Sequence, residues 1–161
     1  QDYLQVGVEC YGGGIWATWF DRDLSVAGRV LVRRENSSKI EHRLVHIQKP
    51  IMRIPHLAIH LNRDINDKFS PNKETHLVPI LATRTMEQVH FGAENENKSN
   101  SKEQSNTQVD KHHALLIDLI RKELNLSNKS EIYDLELSLV DTQPAQLGGA
   151  LNEFIFGARL D

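Results

Sequence analysis

Residues 26–47, VAGRVLVRRENSSKIEHRLVHI, place two short runs of strand-forming residues on either side of a turn-rich centre. Val26, Val30, Leu31 and Val32 suit a pleated conformation, in which branched side chains pack well. Asn36, Ser37 and Ser38 are residue types that bend a chain, because their short polar side chains bond nearby backbone. Residues 40–47 alternate well enough to lie beside the first run, so the pattern predicts a β-hairpin.

Upstream of the hairpin, residues 11–23 read YGGGIWATWFDRD. Three glycines tolerate positive φ and close approach of other groups, which predicts a shaped turn leading into an aromatic and acidic cluster. Burial of Trp16 or Trp19 there would make truncation to Ala cost about 3–5 kcal/mol. Downstream, residues 51–54 are mostly apolar, and Pro55 suits a turn or the first position of a short helix over residues 56–61. Residues 76–83, HLVPILAT, read as a strand that Pro79 confines to an edge or a bulge.

Residues 92–109, GAENENKSNSKEQSNTQV, hold almost no apolar side chain. Ordering costs about 1–2 kcal/mol per backbone residue, which this composition does not offset, so a flexible polar loop is expected. Beyond it, Asp110 is placed to cap a helix, and Ala114, Leu115, Ile117, Leu119, Ile120 and Leu124 recur near helical spacing. One long helix is predicted near residues 110–126. Residues 132–140 alternate again, with Tyr133, Leu135, Leu137 and Leu139 on one face. Gln143-Pro144 and Gly148-Gly149 mark a loop, and residues 152–156 begin a final short strand. The sum is an α+β fold, mostly β, with no internal repeat.

The 161 residues fit one domain, 1–161, large enough for a hydrophobic core. With 39% hydrophobic and 25% charged residues the composition is that of an ordinary globular chain. No apolar run approaches the ~20 residues that span a bilayer, which argues against a membrane partner. Residues 1–9 do not read as a secretory signal. Cys10, the single cysteine, has no internal disulfide partner, and the expectation is a reducing, cytoplasmic setting. Net charge is −3, and the basic pairs Arg33-Arg34 and Arg121-Lys122 sit among acidic neighbours, so nucleic acid is not an expected partner.

Eight histidines occur without an HExxH or paired CxxC motif. His42 and His46, like His56 and His60, are four apart and share one face of a helix or strand, but neither pair has a carboxylate arranged as a further zinc ligand. His112-His113 at a helix start reads as a solvated pair. No serine occupies a GxSxG elbow, and Cys10 has no basic neighbour to activate it. Residue chemistry by itself names no catalytic group.

Four segments in order carry a resemblance: VGVECYGGGIWATWFDRDLSVAGRVLV (6–32), RIPHLAIHLNRDIN (53–66), ETHLVPILAT (74–83) and DTQPAQLGGALNEFIFGARLD (141–161). Together they closely resemble the central part of the aspartyl aminopeptidase family of dinuclear zinc metallopeptidases. The resemblance implies release of an N-terminal Asp or Glu from peptides, with two zinc ions per site in the intact enzyme. It also implies a β-rich insert domain that builds subunit contacts, giving dimers or larger homo-oligomers. An α/β catalytic domain would complete the parent, its strand beginning near residues 154–161.

Two site residues follow from the resemblance. Asp161 matches the aspartate that bridges both metal ions, a geometry that polarises the scissile carbonyl and acidifies a shared water. His60 matches a histidine that resembles a substrate contact reaching the active site of a neighbouring subunit. An imidazole there donates a hydrogen bond or, when protonated, a positive charge. The family's other ligands and its glutamate general base have no match here, so the expectation is a chain that lacks most metal ligands, binds no zinc alone and is inactive alone. The alternative is a stand-alone, non-catalytic oligomerisation or interaction module.

Overall fold

The computed structural model describes residues 2–35, 37–92, 112–127 and 129–158. Asp110, Asp161 and residues 93–109 of the expected polar loop lie outside them. The described residues form a sheet-rich α+β fold with two α-helices, and the chain divides into two compact units. One comprises Gln1–Leu24, Pro50–Met86 and Asp141–Asp161; the other comprises Ser25–Lys49 and Glu87–Val140.

The second unit is built on the hairpin. Strands β2 (Leu24–Arg33) and β3 (Ile40–His46) pair antiparallel, with Val30 opposite Arg43 and Leu31 opposite His42. β5 (Glu131–Asp141) joins on the far side of β2, so the order is β3-β2-β5. Side chains alternate across such a sheet. Val26, Val30, Val32 and Val45 are buried, whereas Arg29, Arg33, Ile40, His42, Leu44 and His46 are exposed. Arg29 and Arg33 pair with Glu136 and Glu131 of β5 across the wet face. Gly28 lies so close to β5 that a Cβ would sit 2.1 Å from the Glu136 carbonyl oxygen; no larger residue fits without moving backbone.

The expected helix is present but shorter. It is α2, labelled after α1 below, and runs Ala114–Glu123, lying against β3 with Leu116 and Ile120 buried. His113, read from sequence as solvated, is its N-cap: the ring Nδ1 accepts from the Leu115 amide at 3.2 Å, and Nε2 meets Glu87 at 2.6 Å. Asn125 closes the helix in the left-handed region at φ 50°. The Asn125 and Leu126 amides bond back to the Lys122 and Arg121 carbonyls, which satisfies two otherwise unpaired acceptors. A second helix, α1 (Arg84–Phe91), was not expected. Thr83 caps it by accepting from the Met86 amide at 3.2 Å, and Met86 and Val89 stay exposed.

The first unit is made mainly of turns and short pairings. β1 (Tyr3–Gln5) pairs antiparallel with β4 (Ile80–Thr83), with a register shift at Leu4/Gln5. β4 begins immediately after Pro79, as the lack of an N–H requires. Met52, Arg53 and Ile54 make isolated bridges to Leu24, Ile80 and Phe20. Leu4, Leu24, Met52, Ile54 and Leu77 form its buried apolar set. Of the turn or short helix expected after Pro55, the turn is found: residues 56–58 have no regular structure, residues 59–61 turn, and a 3-10 turn follows at Arg63–Asn66.

Trp16–Trp19 form another 3-10 turn, and both tryptophans are only half-buried, so the cost attached to their burial does not apply. Lys73 Nζ stands 5.3 Å from the Trp16 ring, a cation over the ring face. The final region holds an antiparallel pair where a loop and one strand were expected: β6 (Gln146–Gly148) and β7 (Phe154–Phe156). Leu147, Leu151, Phe154, Ile155 and Phe156 are all exposed on it.

Candidate functional site

Phe20, Asp21, Arg22 and Asp23 are consecutive, yet their side chains engage separate segments of the first unit. Asp21 has φ 54°, a left-handed conformation that Asp tolerates better than most residues. Its carboxylate accepts from the His56 amide at 3.1 Å through Oδ1 and meets His56 Nδ1 at 2.7 Å through Oδ2. The Asp21 amide donates to the Ile54 carbonyl at 2.8 Å. Arg53 donates to the Asp21 carbonyl at 3.1 Å and to Asp23 Oδ1 at 2.8 Å.

Arg22 reaches the Asp141 carboxylate at 2.5 Å, and that side chain is only 5% exposed. Thr142 donates to the Asp23 carbonyl through both its amide and its hydroxyl, each at 2.9 Å. Three adjacent side chains therefore fasten residues 20–23 to residues 53–56 and 141–142.

The Phe20 ring stacks on His56 with centroids 4.5 Å apart, and Phe69 meets both rings edge-on at 5.3 and 5.6 Å. These rings form one wall of an open cavity of about 420 Å³, lined also by Pro55, Ile65 and His76. The hydrogen bond from the His56 ring holds the Asp21 carboxyl below its usual value; partial burial opposes this, and the His56 amide and the His56 and Arg53 charges support it. With Asp21 on Nδ1, the neutral His56 ring keeps its proton on that atom and presents Nε2 as an acceptor.

His60 is exposed four residues further on, on a turn in which the Leu61 amide donates to the Ala58 carbonyl at 2.8 Å. His56, not His60, lines the cavity. Sequence reasoning treated the two as a possible pair and missed the Asp21–His56 contact. Its partners are 35 residues apart, and the only signal was the acidic run at 21–23.

His42 and His46 share the exposed face of β3, but four residues of extended strand separate them by about 13 Å, too far for one ion. Among the described residues no group of three or more His, Cys, Asp and Glu side chains converges to hold a metal. Asp161, the residue implied as a metal ligand, lies outside the described residues.

With this geometry established, the chain is found to match the family described as Aminopeptidase I zinc metalloprotease (M18) over residues 1–161. It belongs to that family. An aspartyl aminopeptidase of Dictyostelium discoideum is 50% identical over 99% of this chain and 34% of its own length. Aspartyl aminopeptidase 4 of Saccharomyces cerevisiae is 47% identical over 100% of this chain and 33% of its own.

Solved structures agree in fold. A cryo-EM structure of a complex of Ape4 and Nbr1 matches with a TM-score of 0.77 at 44% identity, over 100% of this chain and 29% of that one. Chaetomium thermophilum mApe1 matches with a TM-score of 0.78 at 34% identity, over 99% of this chain and 33% of that one. The chain thus spans about a third of the length of the relatives it matches.

Proposed function

We propose that this chain is the central segment of a zinc-dependent aspartyl aminopeptidase that releases N-terminal Asp or Glu from peptides. In this reading residues 1–161 form the β-rich insert that associates with further copies, and the strand of the catalytic domain begins near residues 154–161. His60 completes the substrate pocket of a neighbouring subunit, and Asp161 bridges two zinc ions in the intact enzyme. The observation that carries the reading is the match along the whole chain to relatives named aspartyl aminopeptidase at about half identity.

Two features of the structure support it. The turn bearing His60 is exposed and follows a segment tied down at His56 by Asp21, as a side chain offered to another subunit requires. The apolar β6–β7 pair, with Leu147, Phe154, Ile155 and Phe156 open to solvent, suits a surface covered by further protein.

Two measurements test it. The purified chain with zinc or manganese and an acidic aminoacyl chromogenic substrate should give no turnover; hydrolysis would remove the claim that it is catalytically incomplete. Residues 1–161 exchanged for the matching third of the Dictyostelium discoideum relative should support cleavage of N-terminal Asp. His60→Ala in that chimera should lower kcat/KM at least tenfold, about 1.4 kcal/mol of transition-state stabilisation. An unchanged kcat/KM would remove His60 from the pocket.

A further inference from the structure

We infer that β3 is the surface through which two copies of this chain pair, its outer edge adding antiparallel to the same edge of a second copy about a twofold axis through His42. The inference rests on the proposed self-association and specifies where it occurs. β3 is the outer strand of its sheet, and among the described residues no other strand pairs with its free edge. Such an edge presents unpaired N–H and C=O groups that a second strand satisfies.

The occupant follows from the sequence of the strand, Ile40-Glu41-His42-Arg43-Leu44. Two identical strands that pair antiparallel are related by a twofold axis, so residues equally far from the axis stand opposite each other. With the axis at His42, Glu41 of one copy faces Arg43 of the other, twice. Ile40 faces Leu44, twice, and these two side chains are 47% and 74% exposed in the single chain. Opposite charges and apolar side chains placed directly across a ladder are both favourable pairings.

Neighbouring registers that keep the same faces aligned lose this match. An axis at Arg43 sets Arg43 against itself, and one at Glu41 sets Glu41 against itself and Arg43 against Lys39. An axis at Leu44 leaves Glu41 facing Ile47 and Arg43 facing Val45. Glu41 already meets Arg34 at 3.0 Å within the chain, but a carboxylate has acceptor room for a second guanidinium. Charged side chains normally guard an edge strand against pairing. Here the two signs are spaced so that a second copy of the same strand neutralises them.

Sedimentation velocity of the purified chain tests the charge match. Arg43→Glu should weaken self-association at least tenfold, and Glu41→Arg with Arg43→Glu should restore it, because the swap rebuilds both pairs. Thermal melting followed by circular dichroism identifies any variant that fails to fold. Register is tested by crosslinking in a Cys10→Ser background. His42→Cys should form an intermolecular disulfide on mild oxidation, its Cα lying about 5 Å from its copy. Leu44→Cys should not, because its copy is more than about 12 Å away. An assembled mass indifferent to Arg43→Glu, a swap that fails to restore assembly, or crosslinking at position 44 and not 42 would overturn the inference and leave self-association standing. A strictly monomeric parent chain would overturn both.

Discussion

Both units of this chain bury apolar side chains and carry ion pairs, but they differ in how their segments are joined. In the Ser25–Lys49 and Glu87–Val140 unit, Val26, Val30, Val32, Val45, Leu116, Ile120 and Ile132 are buried apolar side chains on long strands or on α2, with Ile47 and Leu124 buried just beyond the ends of β3 and α2. In the other unit the strands are three or four residues long, and directed polar contacts connect the loops: Asp21 to His56, Arg22 to Asp141, Asp23 to Arg53. Apolar burial is non-directional and its removal leaves a cavity, whereas an ion pair depends on geometry, solvent access and pH. The contrast implies that losing a buried apolar side chain is the costliest single change in the sheet unit, whereas losing a partner of a buried ion pair is among the costliest in the stitched unit.

The largest expected effect is in the sheet unit. Ile120 is fully buried in α2, and Ile120→Ala should cost about 3–4 kcal/mol in urea denaturation, the transfer and cavity terms acting together. Next comes the stitched unit. Arg22→Ala leaves the Asp141 carboxylate, 5% exposed, without its guanidinium and should cost about 2–3 kcal/mol, moderated because Arg22 itself is 31% exposed. A loss equal to that of Ile120→Ala would mean that the ion pair organises the first unit as fully as a core organises the second.

The smallest effect is in pH dependence. The folded carboxyl of Asp21 titrates below its unfolded value of ~3.9, so its contribution is complete above that pH and is lost as pH falls through the folded value. Asp21→Asn should therefore flatten the acid limb of a melting-temperature profile below about pH 4 and leave the neutral-to-alkaline side of its shape unaltered. The change is small because the side chain is 55% exposed. An unchanged acid limb would remove Asp21 from the groups that link folding to protons.

The same contrast explains what the sequence made legible. The β2–β3 hairpin follows from residues 26–47 because local alternation and turn chemistry agree with the final packing. α2 was visible from its apolar repeat, but its start was not. A histidine caps it, whereas the usual cap residues are Ser, Thr, Asp and Asn. α1 carries a Thr cap but no buried residue, and at eight residues its apolar Met86, Val89 and Phe91 make too short a run to stand out. In the stitched unit, contacts join residues 30 to 119 positions apart, and no local period encodes them.

The run 11–23 drew attention as a whole, and it is its end, Phe20 to Asp23, that contacts other loops. For the candidate site, resemblance singled out His60 by its motif. Only the folded chain shows that His56, in the same motif, is the histidine held by Asp21.

The left-handed backbone at Asp21 has a consequence for which residues can stand there. Glycine would adopt φ 54° without strain but would supply no carboxylate for His56; glutamate would supply one but resist the backbone angle and overshoot the 2.7 Å contact. Asparagine accepts the angle yet offers a single acceptor oxygen where the aspartate uses two. Position 21 is thus narrowed from two independent directions, conformational and chemical, and aspartate is the side chain on which both converge.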